Sequence, residues 1–171
     1  GAGAVLAEID GPGCIWRIWC ATVGSGRVRI YLDGAEEPAV DLPSEALFDG
    51  EHEPFTRTQL VYRTAAMGYN NYTPIPFQTS CRIVAEKDWG KYYHFNYTRF
   101  PRGTRVPTFS RRLGTDESAA LDDVNSMWAR AGENPVGAEE AAKVFERALI
   151  AFPRRAALVA DLDGARVIRA L

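Results

Sequence analysis

The stretch Glu8-Ile9-Asp10-Gly11-Pro12-Gly13-Cys14-Ile15-Trp16-Arg17-Ile18-Trp19 places a tight turn between two apolar strands. Proline fixes one backbone angle and glycine adopts angles closed to other residues, so the central Asp-Gly-Pro-Gly predicts the turn. A weaker copy, Asp161-Leu162-Asp163-Gly164-Ala165-Arg166-Val167-Ile168, stands near the other end. We therefore expect one repeat unit and the beginning of another, with a first lobe over 1–153 and a truncated second lobe from 154 to 171.

Short strands dominate the first half of the chain. Apolar or alternating segments are separated by glycine, proline and aspartate at the spacing typical of an all-β sandwich. The glycines of Gly24-Ser25-Gly26 favour a hairpin between two of these segments. The strands we predict cover residues 4–9, 14–22, 27–33, 39–42, 80–86, 92–99 and 105–110.

One short helix is expected as an insertion at about 116–131. Leu121, Val124 and Trp128 recur there at helical spacing, and Thr115 or Asp116 is placed to cap its start. Residues 139–149 contain good helix formers, but the repeat also leaves room for a strand there. The sequence leaves these two alternatives open.

Composition limits the classes of partner. With 20 basic and 22 acidic residues the net charge is −2, which gives no electrostatic reason to expect nucleic acid or an anionic membrane. No apolar run has membrane-spanning length. We expect neither partner, and the cellular compartment stays open.

The three cysteines, Cys14, Cys20 and Cys81, lie inside apolar runs without the spacing of a zinc site or a disulfide framework. They are expected to behave as small buried hydrophobic residues. Phosphate loops, dinucleotide fingerprints and nucleophile elbows are also absent from the sequence. No cofactor and no metal are therefore expected.

Trp16, Arg17 and Trp19 are the first candidate binding residues. Strict alternation would place Trp16 and Ile18 on one face and the arginine with Trp19 on the other, so an indole lies beside a guanidinium. Indole faces stack on the apolar C–H patches of sugar rings, and arginine donates to ring hydroxyls. The alternative is that the indoles belong to the core.

A second group of candidates is Tyr69, Asn70, Asn71 and Tyr72. Pro74 and Pro76 follow closely, and proline cannot donate to a sheet ladder, which predicts an edge or loop with exposed tyrosine and amide groups. Such groups suit a neutral polyhydroxylated ligand.

Glycoside cleavage normally requires two carboxyl groups across the scissile bond. No pair of acidic residues stands out, because most lie in turns such as Asp33-Gly34. We assign no catalytic residue.

Several blocks follow one another in order and cover most of residues 4 to 110. They are Asp10-Gly11-Pro12-Gly13, Ile15-Trp16-Arg17-Ile18-Trp19, Arg29-Ile30-Tyr31-Leu32-Asp33-Gly34, Tyr72-Thr73-Pro74-Ile75-Pro76-Phe77, Tyr92-Tyr93-His94-Phe95-Asn96-Tyr97 and Gly103-Thr104-Arg105-Val106. Together they resemble glycoside hydrolase family 172, which includes α-D-fructofuranosidases, difructose-anhydride enzymes and D-arabinofuranosidases.

The resemblance implies two jelly rolls in tandem, assembly through trimers and a carbohydrate substrate. It places the nucleophile and acid/base glutamates in the later lobe, in motifs of the type Gly-Glu-Gly-Asp-Glu and Gly-Thr-Glu-Asp-Tyr. Neither motif occurs in these 171 residues.

The leading hypothesis is therefore the N-terminal jelly-roll lobe of a furanosidase, acting on fructofuranosyl or arabinofuranosyl glycans and inactive by itself. The alternatives are a non-catalytic carbohydrate-binding β-sandwich and a lobe that serves assembly alone.

Overall fold

The computed structural model describes residues 3–133, 153–154 and 158. The chain divides into two compact units, Gly1–Ala131 and Gly132–Leu171, and the elements below belong to the first. The predictions for residues 139–149 lie outside the described residues, as does the second lobe from 154 apart from positions 154 and 158.

The strands are β1 Ala4–Asp10, β2 Gly13–Val23, β3 Arg27–Leu32, β4 Val40–Pro43, β5 Val61–Thr64, β6 Gly68–Asn71, β7 Ile75–Phe77, β8 Ser80–Ala85 and β9 Gly90–Arg99; a 3-10 turn covers Glu45–Leu47 and helix α1 covers Thr115–Ala129.

Two antiparallel sheets form the sandwich. The four-stranded sheet has the order β1-β8-β3-β4, and in the five-stranded sheet β2 pairs with β6 and β7 on one side and with β9 on the other. The all-β sandwich with one short helix is confirmed.

The core lies between the inward faces of these sheets. In β3 the side chains of Val28, Ile30 and Leu32 are buried, while those between them are only partly covered. Each inward aliphatic side chain contributes roughly 1.5–3 kcal/mol by leaving water. Period-two alternation therefore separates the core from the two outer faces of the sandwich.

The connection at Gly24-Ser25-Gly26 is not a hairpin, because it carries the chain from β2 in one sheet to β3 in the other. A Cβ atom on Gly24 would lie 1.9 Å from the carbonyl oxygen of Asp88. Glycine is needed there so that the two backbones can approach closely, rather than to form a two-residue turn.

The predicted strand over 105–110 is wrong. Side chains hold this segment instead: the Val106 amide donates to Gln78 Oε1 at 3.0 Å, and the Thr108 hydroxyl donates to Asp33. The Phe109 amide donates to the Pro76 carbonyl at 2.9 Å. Pro107 cannot donate at all, which explains why no ladder forms.

The edge or loop predicted for residues 68–77 is also wrong in part. This segment forms β6 and β7, and β6 lies inside the sheet between β5 and β2. The prolines follow β6 or lie in the short β7, so that they do not interrupt the β2–β6 pairing.

Helix α1 confirms the predicted insertion. It begins at Thr115 with Gly114 in the cap position, so neither Thr115 nor Asp116 caps it. Asp116 and Glu117 lie in the first turn, where carboxylates interact favourably with the helix dipole. Leu121 is buried against the sandwich. No helix among the described residues has the length and apolarity needed to cross a bilayer.

Candidate functional site

A β-bulge in β2 determines which side chains leave the core. Register with β9 shifts between Ile15 and Arg17, and both Ile15 and Ile18 are buried. Two residues, Trp16 and Arg17, therefore lie between consecutive inward positions and both face outward. The strict alternation predicted for this strand is wrong, because it placed Trp16 with Ile18.

Trp16 presents an exposed indole on the outer face of the five-stranded sheet. It is 44% exposed, while Trp89 is buried. Its Nε1 donates to Thr98 Oγ1 at 3.1 Å, and the edge of its ring meets Phe100 with centroids 6.4 Å apart. The ring is therefore fixed in orientation and open to solvent.

Arg17 lies among aromatic rings rather than acids. Its Nη2 donates to Asn70 Oδ1 at 2.9 Å, and its Cζ lies 5.8 Å from the Trp19 ring centroid and 5.4 Å from that of Tyr72. In the described part of the chain no ion pair involves Arg17, and its buried Nε has no partner. The predicted pairing of an indole with an arginine is confirmed.

The indole of Trp19 lies over the neighbouring strand β6. A Cβ atom on Gly68 would come within 2.9 Å of Trp19 Nε1, so the absence of a side chain there makes room for the indole. On the β9 side the exposed imidazole of His94 lies 5.2 Å from Trp19 between ring centroids. The Trp19 indole therefore lies between Gly68 on β6 and His94 on β9.

The Tyr72 ring packs against the Arg17 guanidinium and is itself packed against two other rings. Its ring stacks on Tyr62 at 6.3 Å and meets Trp128 of α1 at 4.7 Å. Burial, the nearby Tyr72 and a hydrogen bond with it raise the pKa of Tyr62. Tyr72 is therefore a packing residue with one face turned to Arg17. We call the set of Trp16, Arg17, Trp19, Tyr62, Asn70, Tyr72, His94 and Trp128 the outer aromatic surface.

Tyr69 and Asn71 do not join it, and the exposure predicted for Asn70 and Asn71 is wrong. Asn71 is 1% exposed, and its Nδ2 donates to the Leu47 carbonyl at 2.7 Å. Tyr69 turns inward against Phe48, with centroids 5.9 Å apart. Asn70 is also buried, though beneath Arg17 on the outer side.

Sequence reasoning missed Tyr62, His94 and Trp128. The sequence predicts that His94 lies in a strand. It does not show that His94 pairs with Trp19, because that contact depends on the long-range β2–β9 pairing. Trp128 was assigned to the helix, but its contact with Tyr72 depends on where α1 docks.

Asp33, which was predicted to lie in a turn, has a structural role. It has a φ of 55° and accepts from the amides of Gln78, Thr79 and Ser80. Partial burial by itself raises the pKa, but these bonds and the one from Thr108 lower it to about 2. Asp33 therefore ties the end of β3 to the β7–β8 turn and to the 105–110 segment.

The cysteines are free and buried, as predicted. Burial raises the pKa of both Cys14 and Cys81 to about 12. No group of metal-ligating side chains occurs among the residues that the structure covers.

Residues 1–117 match the family described as GH172 first beta-sandwich domain, and no curated protein matches the chain. The family match covers more than half of the sequence and includes both sheets of the sandwich. It therefore confirms the resemblance carried by the Asp10–Trp19 block, and the chain belongs to glycoside hydrolase family 172, of which it contains the first β-sandwich domain.

Proposed function

We propose that this chain is the first lobe of a glycoside hydrolase acting on furanosidic glycans, fructofuranosyl or arabinofuranosyl, and that its outer aromatic surface contacts the sugar. Family membership supports a carbohydrate substrate. The observation that carries the proposal is the exposed, oriented indole of Trp16 next to Arg17 on one sheet face.

The chemistry of this surface suits a neutral sugar. An indole offers an apolar face to ring C–H groups, and a guanidinium donates several hydrogen bonds in a fixed plane. Because Arg17 forms no ion pair among the described residues, its outward N–H groups are not committed to a carboxylate. Asn70 and the rings of Trp19 and Tyr72 restrict the guanidinium, so little conformational entropy is lost on binding.

The outer aromatic surface binds rather than cleaves. None of its eight members is aspartate or glutamate, whereas glycoside hydrolysis uses two carboxyl groups. We propose that the reacting glutamates belong to the later lobe of the family architecture and that the present chain is inactive by itself.

A second candidate, a non-catalytic lobe serving assembly into trimers, is favoured by β9. Within the described residues this ten-residue strand pairs only with β2, which leaves its other edge unpaired. Tyr92, Tyr93 and Tyr97 are exposed along it. An exposed aromatic edge is a place where another chain can add a strand.

Calorimetric titration of the 171-residue chain with fructo-oligosaccharides and arabinofurano-oligosaccharides separates these functions. We expect binding that Trp16→Ala and Arg17→Ala each weaken by roughly tenfold, as expected for loss of a main contact. Arg63→Ala is the matched control, since Arg63 lies over Tyr69 and outside this surface. Absence of heat with both ligands, together with trimers in light scattering, would favour assembly alone. Hydrolysis of aryl furanosides by this chain would contradict the assignment of catalysis to a later lobe.

A further inference from the structure

A concave groove lies on the opposite side of the sandwich, on the outer face of the four-stranded sheet. Its volume is about 480 Å³, within the range of small-molecule sites. Polar side chains from three adjacent strands line it: Glu8 and Asp10 from β1, Ser80 and Arg82 from β8, and Tyr31 from β3. We call it the Arg82 groove.

Strand register brings these groups together. Glu8 is directly opposite Arg82, which is directly opposite Tyr31 on its other side, and Asp10 is opposite Ser80. The guanidinium of Arg82 lies over the Tyr31 ring, 4.6 Å from its centroid. The aromatic ring therefore holds the guanidinium on the β3 side of β8, while the two acids lie on β1 at the other edge of the same strand.

The charges in the groove differ from the other charges on the same face. Arg27 and Arg29 are paired with Asp41, and Arg29 also with Glu86 at 2.7 Å. Within the described residues no ion pair joins Glu8, Asp10 or Arg82, although Glu8 and Arg82 are cross-strand neighbours. The charges of Arg27 and Arg29 are therefore neutralised by ion pairs. In the Arg82 groove, by contrast, the charged groups of the described residues are left to bind a ligand.

Carboxylates only accept hydrogen bonds and a guanidinium only donates them. A ligand that meets both must donate and accept at neighbouring positions, as vicinal hydroxyl groups do. Two acids and one base also give the groove a net negative charge, which disfavours an anionic ligand. We propose that the Arg82 groove is a second binding site for a neutral saccharide, separate from the outer aromatic surface.

The test is titration of the uniformly ¹⁵N-labelled chain with sucrose, followed by amide chemical shifts. We expect saturable shifts at Glu8, Tyr31 and Arg82, and weaker affinity for glucuronate at equal ionic strength. The double variant Glu8→Gln with Asp10→Asn should weaken sucrose binding by about tenfold, as for lost hydrogen bonds to charged groups.

Two control variants locate the sucrose response within the molecule. Glu45→Gln changes an exposed carboxylate outside the groove and should leave the affinity unchanged. Arg63→Ala, outside both the groove and the outer aromatic surface, should also leave it unchanged. The affinity is taken from the shifts at Glu8, Tyr31 and Arg82 alone, so failure of the proposed function does not affect this result. Tighter binding of glucuronate than of sucrose, or sucrose shifts that the double variant leaves intact, would overturn the proposal, as would no shift at 100-fold molar excess.

Discussion

The Nη2 atom of Arg17 on β2 donates to Oδ1 of Asn70 on β6 at 2.9 Å, and this bond links the exposed indole region to the interior of the five-stranded sheet. Asn70 is buried, and its own Nδ2 donates to the Gly68 carbonyl at 3.2 Å. The position of Arg17 therefore depends on a buried amide that is itself fixed by the backbone.

Asn70→Ala should destabilise the fold, because it leaves a partly buried guanidinium without its polar partner. We expect a loss of about 1–3 kcal/mol in the free energy of unfolding, measured with urea. Asn96→Ala is the matched control, since Asn96 is opposite Arg17 on β9 and is exposed. Equal losses in the two variants would show that the Arg17–Asn70 bond contributes nothing specific.

Stability should depend on pH through Asp33. Its pKa falls from 3.8 to about 2 on folding, so its contribution is present above the unfolded value and is lost as pH falls through about 2. With allowance for solvent screening, Asp33→Asn should cost about 1–2 kcal/mol at pH 7. The difference from wild type should shrink below pH 4 and vanish only below about pH 2, measured by urea unfolding at each pH. A difference that stays constant down to pH 2 would contradict this role.

Arg57 should hold helix α1 on the sandwich. Its side chain is 11% exposed, donates to Asp122 at 2.9 Å and to Ser118 at 2.8 Å, and pairs with Glu53. Arg57→Met should increase amide exchange in α1 by at least tenfold, because the carboxylates lose their partner, while exchange in β3 stays slow. Arg63→Met, on the exposed end of β5, serves as the control. Unchanged exchange in α1 would show that Trp128 and Leu121 hold the helix without Arg57.

Gly68→Val should displace the Trp19 indole. The first added carbon would lie 2.9 Å from Trp19 Nε1, closer than a carbon atom can remain. We expect altered tryptophan fluorescence and weaker sugar binding, with both sheets retained by circular dichroism. Identical fluorescence would mean that Trp19 does not lie over β6.

The cysteines should react only after unfolding. Burial raises the pKa of Cys14 and Cys81 to about 12, and thiolate is the reactive form. Mass spectrometry after iodoacetamide treatment should show no modified cysteine in the native chain and three in urea. Ser25→Cys, in the exposed connection between β2 and β3, provides a reactive control. Rapid native labelling of Cys14 would contradict its burial.

Alternating apolar residues and turn residues predicted the sandwich, because a strand with one buried face carries an apolar side chain at every second position. The same reasoning placed Arg17 beside an indole. It failed at Trp16, where a bulge adds one outward residue, and at Asn71, whose amide is buried to satisfy the Leu47 carbonyl. Both depend on partners distant in sequence.

The 105–110 segment shows the same limit. Its residues have strand propensity, but its polar groups bond to the side chains of Gln78 and Asp33 instead of to a neighbouring strand. Tyr62 and His94 reach the outer aromatic surface only through strand pairing. Local pattern determines most inward and outward positions, and long-range register determines where a bulge shifts them and which side chains meet.

Isotope-filtered NOE spectroscopy of the labelled chain with a fructo-oligosaccharide tests the central claim most directly, because it reports which assigned aromatic protons of the protein lie next to the sugar. We predict NOEs from the indole protons of Trp16 and Trp19 to the furanose ring, and their loss in Arg17→Ala. No NOE from either indole, or NOEs that Arg17→Ala leaves unchanged, would contradict the assignment of the outer aromatic surface as the sugar-contacting face.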